Sequence, residues 1–318
     1  MRKVFGLVCA VLFFFVGCGT VSYIIPIMQP AEVNLKNFKK IAIGDITGTG
    51  AENFTDELTQ ALFNCDRFEV LDRQNLDRIM KEHHFDLAGV VDETTAAQIG
   101  KFIGAAALVF GRVSLYKYGE EVVYSDSKDY KTGIVTRYYY RIGEANVTAN
   151  LRVTDLTTGK ILAVKNIAEK STVKSSASKG TPEDIDKDGL LAKTREAVVN
   201  RFMKMIAPYQ VNLKVQFLVD NKMPELGRGI NVAKAGELKE AADAFKEVIK
   251  KYAGTSEFKI DKAHYNLGLT LVLMNEYKEG IEELKKAIKI NPNQKLYQDY
   301  VSWSKKREKE YKKLLQQQ

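Results

Sequence analysis

The sequence predicts an α/β sandwich built on a mixed sheet, followed by an all-α helical domain. Two observations lead to this fold. Within residues 39–219, runs with an apolar residue at every second position alternate with segments whose apolar residues recur every three or four positions. These are the periods of strands and of helices, respectively. After Pro224 only the helical period continues. Strands interspersed with helices pack as helices on a sheet, and the all-helical part forms its own domain.

The α/β part begins with a strand at residues 40–45, a glycine-rich turn at 48–50 and a helix at 54–63. A glycine-rich turn between strand and helix could hold phosphate. This turn lacks the Lys-Ser/Thr pair of a phosphate-binding loop and the spacing of a dinucleotide fingerprint. We therefore predict a tight turn rather than a nucleotide site.

The next elements are a strand, two helices and a strand. Residues 67–71 alternate apolar and polar side chains, and Asp72 can cap the helix that follows. A second helix starts near Thr94 and ends at Gly104, and residues 107–111 form a continuous apolar run suited to a buried strand.

Strand periodicity continues to residue 168, with a polar interruption at 125–131. Helical spacing returns at 190–207. Residues 211–219 then alternate as a last strand, which we assign to the same sheet.

Several spaced motifs in this part resemble the CsgG family of curli-secretion proteins. They are DRQNL at 72–76, TAAQIG at 95–100, GA at 104–105 before VFG at 109–111, and a strand hairpin at 147–161 with Thr158-Gly159-Lys160 as its turn. The resemblance covers residues 39–219. It implies a non-enzymatic outer-membrane lipoprotein that helps to export and assemble extracellular fibres.

The N-terminus indicates export. Arg2 and Lys3 precede an apolar segment, residues 4–16, that is shorter than the roughly 20 residues of a spanning helix. We predict a signal peptide at 1–17. The sequence Phe15-Val16-Gly17-Cys18 resembles a bacterial lipobox, which implies lipidation of Cys18 and, because Asp is absent from position 19, a lipid anchor on the periplasmic face of the outer membrane. Residues 18–35 are then an irregular tether.

The domain boundaries follow from these segments. We place the CsgG-like α/β domain at 36–222 and a tetratricopeptide-repeat domain with a capping helix at 223–318. In the latter, small and large residues recur 39 positions apart in a pattern that resembles the tetratricopeptide repeat. The repeat-packing residues are Gly229, Ala241 and Phe245 in the first repeat, and Gly268, Gly280, Leu284, Ala287 and Pro292 in the second.

Repeats of this kind present a concave groove that binds peptides. Lys262, Tyr265 and Asn266 lie on the first helix of the better-conforming repeat, where residues facing the groove occur. We predict that they bind partner proteins of the envelope. The alternative is that the helices only brace the α/β domain.

No catalytic site, metal or cofactor is expected. His83 and His84 are adjacent and point about 100° apart on a helix, which is unsuited to one metal ion. The acidic loop 182–189 lacks the twelfth-position Glu of a calcium loop. Cys65 alone remains after processing, so no disulfide framework forms. The net charge of +8, or +6 without Arg2 and Lys3, indicates solubility rather than nucleic-acid binding in an exported protein.

Well-studied CsgG members insert two hairpins per subunit into the outer membrane and close a pore as an oligomer. One hairpin here has candidate apolar faces. On one strand the face is formed by Ile134, Thr136, Tyr138, Tyr140 and Ile142, and on the other by Tyr116, Tyr118, Val122 and Tyr124. Residues 170–189, rich in Ser, Lys and Asp, provide no second hairpin.

The sequence therefore favours a component of an outer-membrane export or surface-assembly system whose repeats recruit partners. An LpoB-like activator of peptidoglycan synthesis is the first alternative, and an oligomeric secretion pore is the second. Homo-oligomerisation stays open.

Overall fold

The computed structural model describes residues 19–71, 106–255 and 259–317. Internal contacts divide the chain into two compact units. The α/β unit comprises Pro30–Tyr209 together with the residues from Gln316 onward, and the helical unit comprises residues up to Gln29 together with Gln210–Leu315. The predicted signal peptide, Cys18, and the predicted helices between Asp72 and Gly104, which carry His83 and His84, lie outside the described residues.

The elements in chain order are β1 (Thr20–Gln29), β2 (Lys40–Gly48), α1 (Ala51–Asn64), β3 (Glu69–Leu71), β4 (Ala106–Lys128), β5 (Val135–Asp155), β6 (Ile161–Ala177), α2 (Lys187–Ile206), β7 (Tyr209–Leu218), α3 (Glu225–Lys234), α4 (Leu238–Tyr252), α5 (Asp261–Leu273), α6 (Tyr277–Ile290) and α7 (Lys295–Gln317).

The α/β unit has a five-stranded sheet in the order β3-β2-β4-β5-β6. β2 pairs in parallel with β3 and β4, whereas β4, β5 and β6 pair antiparallel. Helices α1 and α2 pack on one face of this mixed sheet, α1 through Phe54 and Leu58 and α2 through Val198 and Phe202, all four side chains fully buried. The predicted fold class, a mixed α/β sheet domain followed by helices, is confirmed.

The turn between β2 and α1 has the tight geometry that its glycines suggest. Gly48 and Gly50 adopt φ of 105° and 73°, which L side chains rarely adopt. A Cβ on Gly48 would lie 2.1 Å from the carbonyl oxygen of Val113, so β2 and β4 approach closely at this point.

The prediction that residues 18–35 form an irregular tether is wrong in part, because residues 20–29 form β1. Its side chains alternate in burial, and Val21, Tyr23 and Ile25 pack on the helical unit. Pro26 lies within β1 and Pro30 follows it. Proline is tolerated in an edge strand, where its missing N–H costs no ladder bond.

The last strand, β7, also differs from expectation. It was predicted at 211–219 as part of the main sheet, and it instead forms a separate two-stranded sheet with β1 in the helical unit. The alternation correctly indicates that Val215 and Phe217 are buried. Alternation specifies a buried face but not the element that covers it.

β6 is longer than predicted. It continues to Ala177, and Ser175 and Ala177 pair with Arg141 and Tyr139 of β5. Residues 170–177, expected to form no strand, are therefore strand. Their polar side chains are compatible with a sheet exposed to water on both faces, since β5 satisfies their backbone groups.

The helical unit consists of the pairs α3–α4 and α5–α6, followed by α7 as the final helix. Its core includes Phe217, Phe245, Tyr265, Leu284 and Tyr297, all fully buried. Among the helices that the structure describes, none is both long and apolar enough to cross a membrane.

Candidate functional site

Asn266, in the middle of α5, binds the backbone of β7. Its side chain is fully buried. Its Nδ2 group donates a hydrogen bond to the carbonyl oxygen of Leu218 (2.8 Å), and its Oδ1 accepts one from the Leu218 N–H (2.9 Å). One carboxamide thus satisfies both backbone groups of one residue, as a neighbouring strand would do.

Two tyrosines form hydrogen bonds with the backbone groups of Gln216, the next residue along the same edge of β7. The Tyr265 hydroxyl donates to the carbonyl oxygen of Gln216 (2.7 Å), and the Tyr300 hydroxyl accepts from the Gln216 N–H (3.1 Å). Residues 216 and 218 present their backbone groups to the same edge because strand geometry repeats every two residues. Side chains of α5 and α7 therefore cover this edge, while β1 pairs with β7 in the two-stranded sheet.

The tyrosines form a buried cluster around this contact. The ring centroid of Tyr265 lies 5.2 Å from those of both Tyr297 and Tyr300. Burial raises the pKa of Tyr265 far above its ordinary value, so its hydroxyl keeps the proton that it donates to β7. The Tyr297 hydroxyl and the Asn291 amide both donate to Asp261 Oδ2, at 2.7 and 3.0 Å, which fixes the cluster to the start of α5.

Lys262 secures the chain just beyond β7. Its Nζ lies 2.8 Å from Asp220 Oδ2, and both side chains are mostly buried. Burial raises the pKa of Asp220, but the hydrogen bonds from Lys262 and from the Lys222 N–H outweigh this effect and hold that pKa below its ordinary value. Asp220 therefore stays charged.

The structure brings together the three residues that were predicted to bind partners. Lys262, Tyr265 and Asn266 all contact one segment of the same chain, which consists of β7 and the residues just after it. Binding of an outside partner at these residues stays a prediction and would require displacement of β7. The sequence alone did not identify β7 as the segment that these residues bind. The available signal was its position, since an alternating strand ends only a few residues before the first repeat helix.

The predicted repeat-packing residues lie where helices approach most closely. A Cβ on Gly229 would lie 2.5 Å from Phe245 Cε1. A Cβ on Gly268 would lie 2.8 Å from the carbonyl oxygen of Gly280, and the reverse distance is also 2.8 Å. Ala241, Leu284 and Ala287 are fully buried, and Pro292 follows the end of α6.

The long hairpin of β4 and β5 does not present one continuous apolar face. Residues directly opposite each other share a face, and the register pairs Tyr124 with Tyr139 and Val122 with Arg141. The predicted apolar face of β5, which includes Tyr138 and Tyr140, therefore lies on the opposite side of the sheet from the predicted apolar face of β4.

Ion pairs cover the β4 side of this hairpin. Arg137 binds Asp126 through two hydrogen bonds of 2.7 and 2.8 Å, and Arg141 binds Glu120 at 2.5 Å. The Tyr118 hydroxyl donates to the same Glu120, which raises the pKa of Tyr118 to about 12. Charged networks of this kind are typical of a solvated surface.

The acidic loop before α2 has structural contacts. Asp186 caps α2, because its Oδ1 accepts a hydrogen bond from the Gly189 N–H (2.9 Å). Asp184 lies 3.0 Å from the Arg141 guanidinium. Within the part of the chain that the structure describes, no three potential metal ligands cluster.

Comparison with solved structures finds matches at low identity. A dodecameric PelC variant from Paraburkholderia phytofirmans is 10% identical, with 59% of this chain and 99% of that chain covered and a TM-score of 0.29. Lipoprotein GNA1162 from Neisseria meningitidis is 15% identical (51% and 96% covered, TM-score 0.30). The LpoB C-terminal domain from Escherichia coli is 14% identical (41% and 82% covered, TM-score 0.26). A comparison with curated protein sequences finds no significant match.

Comparison with protein families gives two matches. A tetratricopeptide-repeat model matches residues 261–294, which contain α5 and α6. A model described as the curli production assembly/transport component CsgG matches residues 32–219, more than half of the chain. The protein therefore belongs to the CsgG family, and it carries a tetratricopeptide repeat beyond the family domain.

Proposed function

We propose that the protein is a non-enzymatic lipoprotein on the periplasmic face of the outer membrane, where it acts in an export or surface-assembly system. The family match supports a role of this class. The observation that carries the proposal is the position of β1. It begins at Thr20, two residues after the predicted lipidation site, and two residues span less than about 10 Å.

So short a connection keeps the folded chain at the membrane. A lipoprotein that reaches a synthase through the cell wall needs a long tether between its anchor and its folded domain. The position of β1 leaves no such length here, which favours assembly at the membrane over the LpoB-like alternative. The opposed apolar faces of β4 and β5, together with the ion pairs on one of them, favour a peripheral role over a secretion pore.

The repeats contribute in two ways under this proposal. Their groove holds β7, and with it β1, which links the lipid anchor to a rigid helical unit. Partner proteins of the envelope then dock on the outer surfaces of the helices, because the groove residues Lys262, Tyr265 and Asn266 are already engaged.

The test compares cells with and without the gene. Surface proteins are labelled with a membrane-impermeant reagent and quantified together with the periplasmic fraction. We expect one or more polypeptides to disappear from the surface and to accumulate in the periplasm, with peptidoglycan cross-linking unchanged. An unchanged surface with altered cross-linking would overturn the proposal in favour of the synthase activator.

A further inference from the structure

The basic charge of the mature chain is concentrated in one unit. Residues 30–209 contain 25 basic and 25 acidic residues, whereas residues 210–315 contain 21 basic and 15 acidic ones. The whole excess of +6 therefore lies in the helical unit.

Much of this excess lies on one face of α7. Six of its lysines are exposed, and on a helix with 100° per residue they fall within an arc of about 120°. This lysine face consists of Lys295, Lys305, Lys306, Lys309, Lys312 and Lys313. The other residues within the arc are uncharged, namely Gln298, Ser302 and Gln316. The face is about 27 Å long at 1.5 Å per residue.

The carboxylates of α7 lie beside this face rather than within it. The nearest is the exposed Asp299, about 20° outside the arc. Glu308 accepts a hydrogen bond from Lys312 (2.6 Å). Glu310 lies 2.8 Å from Arg307, which points to the buried side of the helix, and 3.8 Å from Lys306. These acids sit at the borders of the arc, so the centre of the lysine face keeps a positive field.

The same helix is tied to the first strand after the predicted anchor. On its buried side, the Arg307 guanidinium donates to the carbonyl oxygen of Met28 in β1 (3.3 Å). At the other end of β1, the Gly19 carbonyl oxygen accepts from the Val219 N–H (3.1 Å). A lipid on Cys18 would therefore hold a bilayer close to the unit that carries the lysine face.

We propose that the lysine face of α7 binds the anionic headgroups of phospholipids in the membrane to which the protein is anchored. A straight row of ammonium groups suits a plane of phosphates, because the attraction is long-ranged and needs no shaped pocket. All four aromatic residues of α7 lie at least 60° outside the arc, so the lysine face offers no stacking surface for nucleic-acid bases. They are Tyr297, Tyr300, Trp303 and Tyr311. The acyl chains on Cys18 would anchor the chain by themselves, and the basic patch would add an electrostatic attachment that holds the helical unit against the bilayer surface.

The test uses the mature chain, residues 18–318, with Cys18→Ser, so that no acyl group contributes to membrane binding. Its result therefore does not depend on whether Cys18 carries a lipid in the cell. Binding is measured by co-sedimentation with vesicles of phosphatidylcholine, with or without phosphatidylglycerol. The lysine-face variant combines Lys305→Gln, Lys309→Gln and Lys312→Gln. The matched control combines Lys239→Gln, Lys246→Gln and Lys250→Gln, which remove the same charge from exposed positions on α4.

We expect the parent chain to bind only the vesicles that contain phosphatidylglycerol and to lose this binding at high salt. Each lysine near an anionic surface changes the affinity for that surface about fivefold. The lysine-face variant, which lacks three lysines, should therefore bind these vesicles on the order of 100-fold more weakly than the parent chain, and the control should lose much less affinity. Equal losses in the two variants, or binding to phosphatidylcholine alone, would overturn the proposal. Absence of vesicle binding, with a photocrosslinker at position 309 capturing an envelope polypeptide, would assign the face to a protein instead.

Discussion

Asn266→Ala tests the contact on which the helical unit depends. The substitution removes both hydrogen bonds to Leu218, whose own surface is only 4% exposed. Water cannot readily replace them, so a backbone N–H and a carbonyl oxygen stay buried without partners. Each such group costs about 1–3 kcal/mol, and we expect the helical unit to lose about 3 kcal/mol of unfolding free energy in total.

Trp303 provides a probe for this unit alone. It is the only tryptophan of the chain, and it lies in α7 with its ring 5.5 Å from that of Tyr300. Urea unfolding followed by its fluorescence should show a midpoint lower by about 1–3 M, given a loss of about 3 kcal/mol and a slope of about 1–3 kcal/mol per M. Asn231→Ala, an exposed asparagine on α3, is the matched control and should shift by less than about 0.5 kcal/mol.

Coincident unfolding curves for Asn266→Ala and Asn231→Ala would refute the reasoning, because they would mean that β7 does not depend on the carboxamide. The same pair of variants separates stability from recruitment. If Asn266→Ala lowers the recovery of envelope partners while the unfolding midpoint stays unchanged, the groove serves an outside ligand rather than β7.

Three further predictions concern helix packing, pH and the anchor. Gly229→Ala should destabilise the helical unit by about 1–3 kcal/mol, because the added Cβ clashes with Phe245. Gly227→Ala on the same helix is the control; its Cβ would meet no atom within 4 Å, so it should stabilise the unit by about 0.5–1 kcal/mol. Equal shifts of the melting temperature in the two variants would contradict the packing account. The hydrogen bond from Lys251 lowers the pKa of Glu225 from 4.5 to about 2. The stability that this pair contributes is therefore fully present above pH 4.5 and is lost as the pH falls towards 2. Glu225→Gln should make the unfolding midpoint less sensitive to acid between these pH values, and an unchanged sensitivity would mean that the pair does not stabilise the helical unit. Cys18→Ala should abolish labelling by a fatty-acid probe and leave the protein unprocessed or free in the periplasm, and persistent labelling would remove the lipoprotein assignment.

The helical repeats could be predicted from sequence because their signal is local. Gly268, Gly280 and Leu284 are spaced so that two helices must meet at small residues, and the structure places them in contact. The partner of β7 could not be predicted in this way. Its alternation shows that Val215 and Phe217 are buried, but many apolar surfaces satisfy that requirement. Pro26 within β1 and Pro30 just after it concealed the strand that pairs with β7.

The placement of the two hairpin faces relative to each other could not be predicted for a different reason. Each strand was assessed alone, and the face that a residue occupies depends on register. The turn at residues 129–134 sets this register. It pairs Lys128 with Val135, so even-numbered residues of β4, such as Tyr124, share a face with odd-numbered residues of β5, such as Tyr139. The bulge between Val113 and Leu115 lies before all the predicted face residues of β4 and changes only their parity relative to the buried start of that strand.

Hydrogen–deuterium exchange of the full-length lipoprotein tests the central claim, that the repeat groove is filled by the chain's own strand. If β7 occupies the groove, the amides of Gln216 and Leu218 donate to Tyr300 and Asn266 and should exchange as slowly as those of α5. Asn266→Ala should accelerate exchange in β7 while leaving α2 unchanged. Exchange at residues 216 and 218 as fast as in the exposed turn 129–134 would contradict the claim and leave the groove open to a partner.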